Sequence, residues 1–248
     1  MAKQLFDNFD TLEVEKEGEI IWVTFKLIYF NKNVIREINM VLDIALGFPK
    51  EDPLAIVFRS NRKNLFSAGL ELQVLIGDIY ILGKLIGNFG RLIGRLLGFS
   101  IPTIGMINGH CIAGGLMFAM ALDYRVMLKG NFKIEMNEIS FGLDIPRFMI
   151  PSILAKLCDR DKRDLCLFGI SLDQNRCLEG KIIDQLADNV DQLKELARSK
   201  AIQMAKSGIG RLAYKISKSA NYRKYIKMAR ETLQFQSALT LRDNGPKL

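Results

Sequence analysis

Four short apolar runs separated by stretches of helical length constrain this chain more than any other feature. They lie at residues 19–25, 54–58, 102–107 and 123–128. The first carries Trp22 among β-branched residues, and each is compact enough for a buried strand. Between the first two, Val34, Ile38, Val41, Leu42 and Ala45 recur at helical spacing over 33–46 and stop at Gly47 and Pro49. A longer helical region spans 72–97, and Gly114-Gly115 opens a short apolar helix through Leu122. Strand-helix-strand order of this kind implies parallel pairing and an α/β architecture.

The 72–97 region is rich in Leu and Ile, so it must be tested as a membrane span. Asp78, Lys84, Arg91 and Arg95 interrupt it, and no run of 18 apolar residues survives. Six glycines from Gly77 to Gly98 would weaken an isolated helix. A helix, or a helix pair, packed inside the protein is the reading that follows. After Pro151 the pattern is almost wholly helical, over 153–157, 161–168, 174–179, 190–206 and 211–241. The division is a strand-rich core, residues 1–190, followed by a helical C-terminal region, 191–248.

The composition argues against several function classes. The chain has 248 residues, 49% of them hydrophobic, enough for a substantial core without staples. Its four cysteines form no CxxC pair and no secretory signal precedes them, which suits buried or inert thiols in a reduced compartment. The single histidine, His110, excludes metal sites built on several imidazoles, and no metal is expected. A Ser-His-Asp triad would have to use that residue, and no GxSxG elbow exists. The formal charge of +8 is dispersed, densest over 215–230, where Lys218, Arg223, Lys224 and Lys227 read as a solvated helix face. Phosphate contact by one or two of them is the functional alternative. Neither an RNA-binding nor a helix-turn-helix signature accompanies them, so nucleic acid is not expected as a partner.

Three segments could carry chemistry. Phe66-Ser67-Ala68-Gly69-Leu70 follows the second predicted strand, and its glycine permits a tight turn with N–H groups left facing a ligand. Asn108-Gly109-His110-Cys111-Ile112-Ala113-Gly114-Gly115 follows the third strand and opens a helix, whose N-terminus favours developing negative charge. It has neither GxGxxG nor GK[ST], which disfavours nucleotide binding. Asn137-Glu138-Ile139-Ser140-Phe141-Gly142-Leu143 places a carboxylate among apolar residues, where burial would raise its pKa toward that of a proton-shuttling base. Each is weak alone.

Together, in this order, they resemble the crotonase family, also called the enoyl-CoA hydratase/isomerase superfamily. The resemblance runs from about Glu19 to Asp184 and includes Asn31, Asp123-Tyr124-Arg125 and the segment from Leu178 to Asp184. It implies a spiral of ββα units with a helical C-terminal region, usually assembled as homotrimers or hexamers. It also implies an acyl-CoA substrate, no separate cofactor, and a thioester oxygen held by two backbone N–H groups, mapped to Ala68 and Gly114. Leu70 and Met117 fall in the acyl pocket. Family hydratases use two glutamates; the first position is Met117 here and the second is Glu138. Methionine cannot move a proton. The extra aspartate of family dienoyl-CoA isomerases falls on Pro146, and the nearby Asp144 is in the wrong register.

One carboxylate suits transfer of a proton from the α to the γ carbon, so the resemblance points to Δ3,Δ2-enoyl-CoA isomerisation with Glu138 as catalytic residue. A crotonase-like structural subunit that has lost catalysis is the alternative, motivated by Met117 and the glycine-rich helix. Thioester hydrolysis by Glu138 is a third reading. The final Pro246-Lys247-Leu248 is similar to the Ser-Lys-Leu peroxisomal address. The acidic first 19 residues lack arginine, unlike a mitochondrial transit peptide, although a processed mitochondrial matrix protein stays open.

Overall fold

A computed structural model describes residues 9–71, 79–207 and 209–231. Two sheets run through it. The larger has six strands, in spatial order β1 (Leu12–Glu17), β2 (Ile20–Phe25), β3 (Ala55–Ser60), β5 (Thr103–Ile107), β7 (Tyr124–Leu128) and β9 (Gln185–Ala187). Only the β1–β2 pair is antiparallel. The smaller sheet is β4 (Asn64–Ser67), β6 (Gly109–Ile112) and β8 (Ile134–Glu135), all parallel.

Successive units therefore lay one strand in each sheet and cross over by a helix. The crossings are α1 (Lys32–Gly47), α2 (Ile79–Leu97) and α3 (Gly114–Ala121). This is the spiral of ββα units that the sequence implied. Five further helices follow: α4 (Pro151–Lys156), α5 (Asp159–Cys166), α6 (Gln174–Glu179), α7 (Val190–Ser207) and α8 (Leu212–Arg230).

All six residues of β2 are buried, because both faces of the large sheet are covered. Ile21, Val23 and Phe25 enter the main core with α1, α2 and α3. Ile20 and Trp22 point the other way, into a second cluster with Ala197, Ala201 and Ala205 of α7. The three alanines of α7 recur every four residues and give it a flat face to lie on the strands. Helix α1 starts where Asn31 Oδ1 accepts the N–H groups of Asn33 and Val34, each at 3.0 Å. Such a cap contributes about 1 kcal/mol.

Gly90 and Gly94 of α2, and Gly98 just past its end, have a packing reason. A Cβ at Gly94 would lie 2.7 Å from the Ala229 Cβ, one at Gly90 2.8 Å from Phe148 Cδ2, and one at Gly98 3.1 Å from Ile226 Cδ1. The three recur every four residues on one face, which is the seat of α8. The start of the region expected at 72–78 and the end expected at 232–241 lie outside the described residues. No helix among the described residues is long and apolar enough to cross a membrane.

Three features differ from the sequence reading. The acidic N-terminal stretch contributes a strand, β1, whose Leu12 is buried. The region expected to be almost wholly helical also supplies a strand, β9, which pairs with β7. Lys218 is not on a solvated face: it is buried, with Nζ 2.7 Å from Asp123 Oδ1 and donating to the Leu96 carbonyl at 3.0 Å. Burial pushes the Asp123 carboxyl up, but Lys218 and Lys156 outweigh it and hold it below its ordinary value. Lys215, Arg223, Lys224 and Lys227 are exposed, as expected.

Gly94→Val places a branched side chain where even a Cβ has no room. The expected result is a loss of about 1–3 kcal/mol of stability, read as a lower midpoint in chemical denaturation. An unchanged midpoint would contradict the packing role of the glycine face.

Candidate active site

The two glycine turns leave the ends of neighbouring strands. β4 and β6 pair in register Asn64↔Gly109, Leu65↔His110 and Ser67↔Cys111. A Cβ at Gly109 would fall 1.8 Å from the Asn64 carbonyl carbon, and one at Gly115 would fall 2.7 Å from Ser67 O. No side chain fits at either point. Beyond the strands, Gly69 takes φ +95° and Ala113 takes φ +53°. The non-glycine residue at positive φ is strained, and it directs the chain into α3.

These turns bring the backbone N–H groups of Leu70 and Gly114 side by side. A Cβ on Gly69 would lie 3.1 Å from Gly114 N, and one on Gly114 would lie 3.3 Å from Leu70 N. Among the described residues neither N–H has a hydrogen-bond partner, while their neighbours do. Ala113 N–H donates to the Glu135 carbonyl at 2.8 Å, and Glu71 N–H donates to Phe30 O at 3.2 Å. Gly114 also opens α3, so the helix dipole favours negative charge there.

Ala68 behaves differently from the expectation. Its N–H donates to the Ile28 carbonyl at 2.9 Å and ties the turn to the loop before α1. That group is engaged, and the free donor on this turn is Leu70, two residues further on. The Leu70 side chain is 8% exposed and Met117 is fully buried in the main core. Ser152 Oγ donates to the Met117 carbonyl at 2.7 Å.

Glu138 opens a single 3-10 turn, Glu138–Phe141, just after β8. The carbonyl of Glu135, which accepts from Ala113, lies three residues upstream, so this turn flanks the strand end that leads to Gly114. Glu138 Oε2 is buried and makes no hydrogen bond among the described residues. Burial pushes its carboxyl up to about 7, with its own backbone N–H pulling weakly the other way. Cys166, at the end of α5, is its titratable neighbour: burial and then the Glu138 charge push that thiol to about 11.

His110 lies on β6, paired with Leu65 of β4. Its Nδ1 accepts the Lys133 N–H at 2.9 Å, and its ring meets the edge of Phe132. All four cysteines are free, and no group of three His, Cys, Asp or Glu side chains among the described residues could hold a metal ion.

On the outer side of the Leu70 turn lies an open groove of about 260 Å³, lined by Leu27, Ile28, Tyr29, Arg62 and Glu71. The guanidinium of Arg62, one of its lining residues, is fixed by Nη2 and Nε donating to Lys26 O at 2.8 and 3.2 Å. By charge alone the nearby Lys26 and Lys63 are equal candidates for a phosphate contact, and nothing in the sequence singles out Arg62. Lys26 Nζ is occupied by the Phe9 and Asp10 carbonyls, and Lys63 is exposed. Only the backbone path between β3 and β4 reveals Arg62, because a lone arginine in a loop carries no signal of its own.

The family profile described as Enoyl-CoA hydratase/isomerase matches residues 28–242. Enoyl-CoA delta isomerase 3 of Arabidopsis thaliana is 26% identical over 182 residues, covering 70% of this chain and 76% of the relative. Enoyl-CoA delta isomerase 2, peroxisomal, of the same plant is 30% identical over 184 residues, with the same two coverages. The crystal structure of an enoyl-CoA hydratase/isomerase family protein from Pseudomonas syringae superposes with a TM-score of 0.82 at 20% identity, over 90% of this chain and 95% of that one. With most of its length matched to the profile and this fold around the paired glycine turns, the chain belongs to the enoyl-CoA hydratase/isomerase family.

Proposed function

We propose that the protein converts 3-enoyl-CoA to trans-2-enoyl-CoA with one proton-shuttling carboxylate. The observation that carries this is Glu138, half-buried, with a buried Oε2 that has no hydrogen-bond partner among the described residues and a carboxyl raised to about 7, and with fully buried Met117 where family hydratases have their other acid. Glu138 takes a proton from the carbon next to the thioester carbonyl, and the electron pair moves onto the thioester oxygen. The Leu70 and Gly114 N–H groups hold that oxyanion. Each such donor lowers a barrier by about 3 kcal/mol. The same carboxyl then returns the proton to the γ carbon, so the double bond moves by one position. Adding water would need a second group to activate it, and methionine provides none. The delta-isomerase names of the relatives support the same reading. The groove beside Leu70 suits the CoA arm, with Arg62 in its lining for phosphate.

This reading also takes the chain to assemble as a homotrimer or hexamer, which would cover apolar side chains such as Phe141, Leu167 and Phe168, each more than half exposed. A monomer in sedimentation velocity at micromolar concentration would contradict it. The peroxisome is the proposed location, with the mitochondrial matrix as alternative. The similarity of Pro246-Lys247-Leu248 to a peroxisomal address, outside the described residues, and the peroxisomal relative support it. A reporter carrying the last ten residues should enter peroxisomes; diffuse fluorescence would count against that address.

With 3-hexenoyl-CoA, Glu138→Gln should lower kcat by about 10²–10⁴-fold. In the wild type, turnover should fall as pH drops through about 7, because the base is then protonated. Unchanged turnover in the variant would remove Glu138 from the mechanism. Efficient hydration of a 2-enoyl-CoA by the wild type would overturn the one-carboxylate argument.

A further inference from the structure

We infer that the segment from Cys166 to Leu172 is a brace that positions Glu138, with Gly169 as its point of contact. The inference rests on the proton-shuttling role proposed for that carboxylate. No residue of the Glu138–Phe141 turn is itself buried, so the turn must be held from outside. Gly169 does this at φ +61°, and a Cβ there would lie 2.9 Å from Ser140 Oγ, 3.0 Å from Ile139 Cγ2 and 3.5 Å from Met136 O. Glycine is required twice over, by the left-handed backbone and by the contact.

Both ends of the brace are anchored. Upstream, Ile170 N–H donates to Asp164 O at 2.9 Å. The Asp164 carboxylate is gripped by Arg163 and by Arg176, which also reaches Asp161 at 2.8 Å. Downstream, Leu172 N–H donates to Ile134 O at 2.9 Å, an isolated bridge to the strand that leads directly into Glu138. The ionic cluster of α5 and α6 thus fixes a short apolar loop, Leu167-Phe168-Gly169-Ile170, against the turn that carries the base. The side chains of Leu167, Phe168 and Ile170 are exposed, so the contact with the turn is made by Gly169 itself, and Cys166 is the titratable group of α5 that the Glu138 charge reaches. A turn pressed against the body at this point keeps its carboxylate partly dehydrated.

The test is Gly169→Ala in the full-length protein, read by carbon NMR of glutamate δ-carboxyls and by kinetics. The Glu138 resonance is assigned by its loss in Glu138→Gln. In the wild type it should titrate near 7. In Gly169→Ala its midpoint should fall by about one pH unit or more as water reaches the carboxyl. The kcat should fall about 10- to 100-fold with KM little changed, since the base and not the binding groove is displaced. Adding Ser140→Ala removes the nearest clashing atom and should restore much of both values. An unshifted Glu138 midpoint in Gly169→Ala would overturn the brace, and so would failure of Ser140→Ala to restore it. If the alanine variant does not fold, Gly169→Asn, which tolerates the left-handed region, carries the same measurements. The NMR titration needs no turnover, so an inactive wild type would sink the isomerase reading and leave the brace to be judged separately.

Discussion

The site depends on two stretches of backbone touching with nothing between them. At Gly109 the β4 and β6 chains approach so closely that any side chain would overlap the Asn64 carbonyl, and Gly115 repeats this constraint against Ser67. A buried backbone N–H normally finds a partner, and one left without is costly. Two N–H groups without a partner among the described residues, on Leu70 and Gly114, stand together here at a helix N-terminus. On the proposed reading, folding has already met the cost of holding them there, so a ligand oxygen that gains negative charge meets donors that need no reorganisation. Ala68 is part of that arrangement in another way: its bond to Ile28 fixes the turn so that the next free N–H faces Gly114.

The larger sheet supplies the rigidity. Its inner parallel strands are buried on both faces, between the main core and the alanine face of α7, as the fully buried β2 and β5 show. Helix α8 is then bound to this body in two ways. It seats on the glycine face of α2, and it sends Lys218 into the core to meet Asp123, at the start of β7. The glycines of α2 are therefore a packing surface, which removes one of the two reasons for reading the chain as a degenerate member of its family. The other reason, Met117, is on the proposed reading a change of chemistry and not a sign of decay.

Much of this was legible in the sequence where the signal is local. Strands β2, β3, β5 and β7 are apolar runs, and α1 declares itself through Asn31 and its buried spacing. The two turns and Glu138 stood out because their order matters. What could not be read depends on a partner distant in the chain. Strands β4, β6, β8 and β9 are two to four residues long, and only pairing makes them strands. The choice between Ala68 and Leu70 turns on which N–H the Ile28 carbonyl takes. Lys218 looked like surface because the carboxylate that receives it lies at Asp123, in another element.

The contrast between Glu138 and Met117 follows from where each sits. Met117 is fully buried on α3 among Leu116, Phe118 and Met120, inside the main core. A carboxylate there would need a charged or hydrogen-bonding partner, and its neighbours on the helix are apolar. Glu138 sits on an exposed turn at the edge of that core, close enough to lose part of its hydration and open enough to exchange a proton. A single base whose pKa lies near neutrality is well matched to taking a proton and giving it back, since neither step then runs far uphill. On the proposed reading, the chemistry is set by one carboxylate at the margin of the core and by an apolar side chain where water would otherwise be activated.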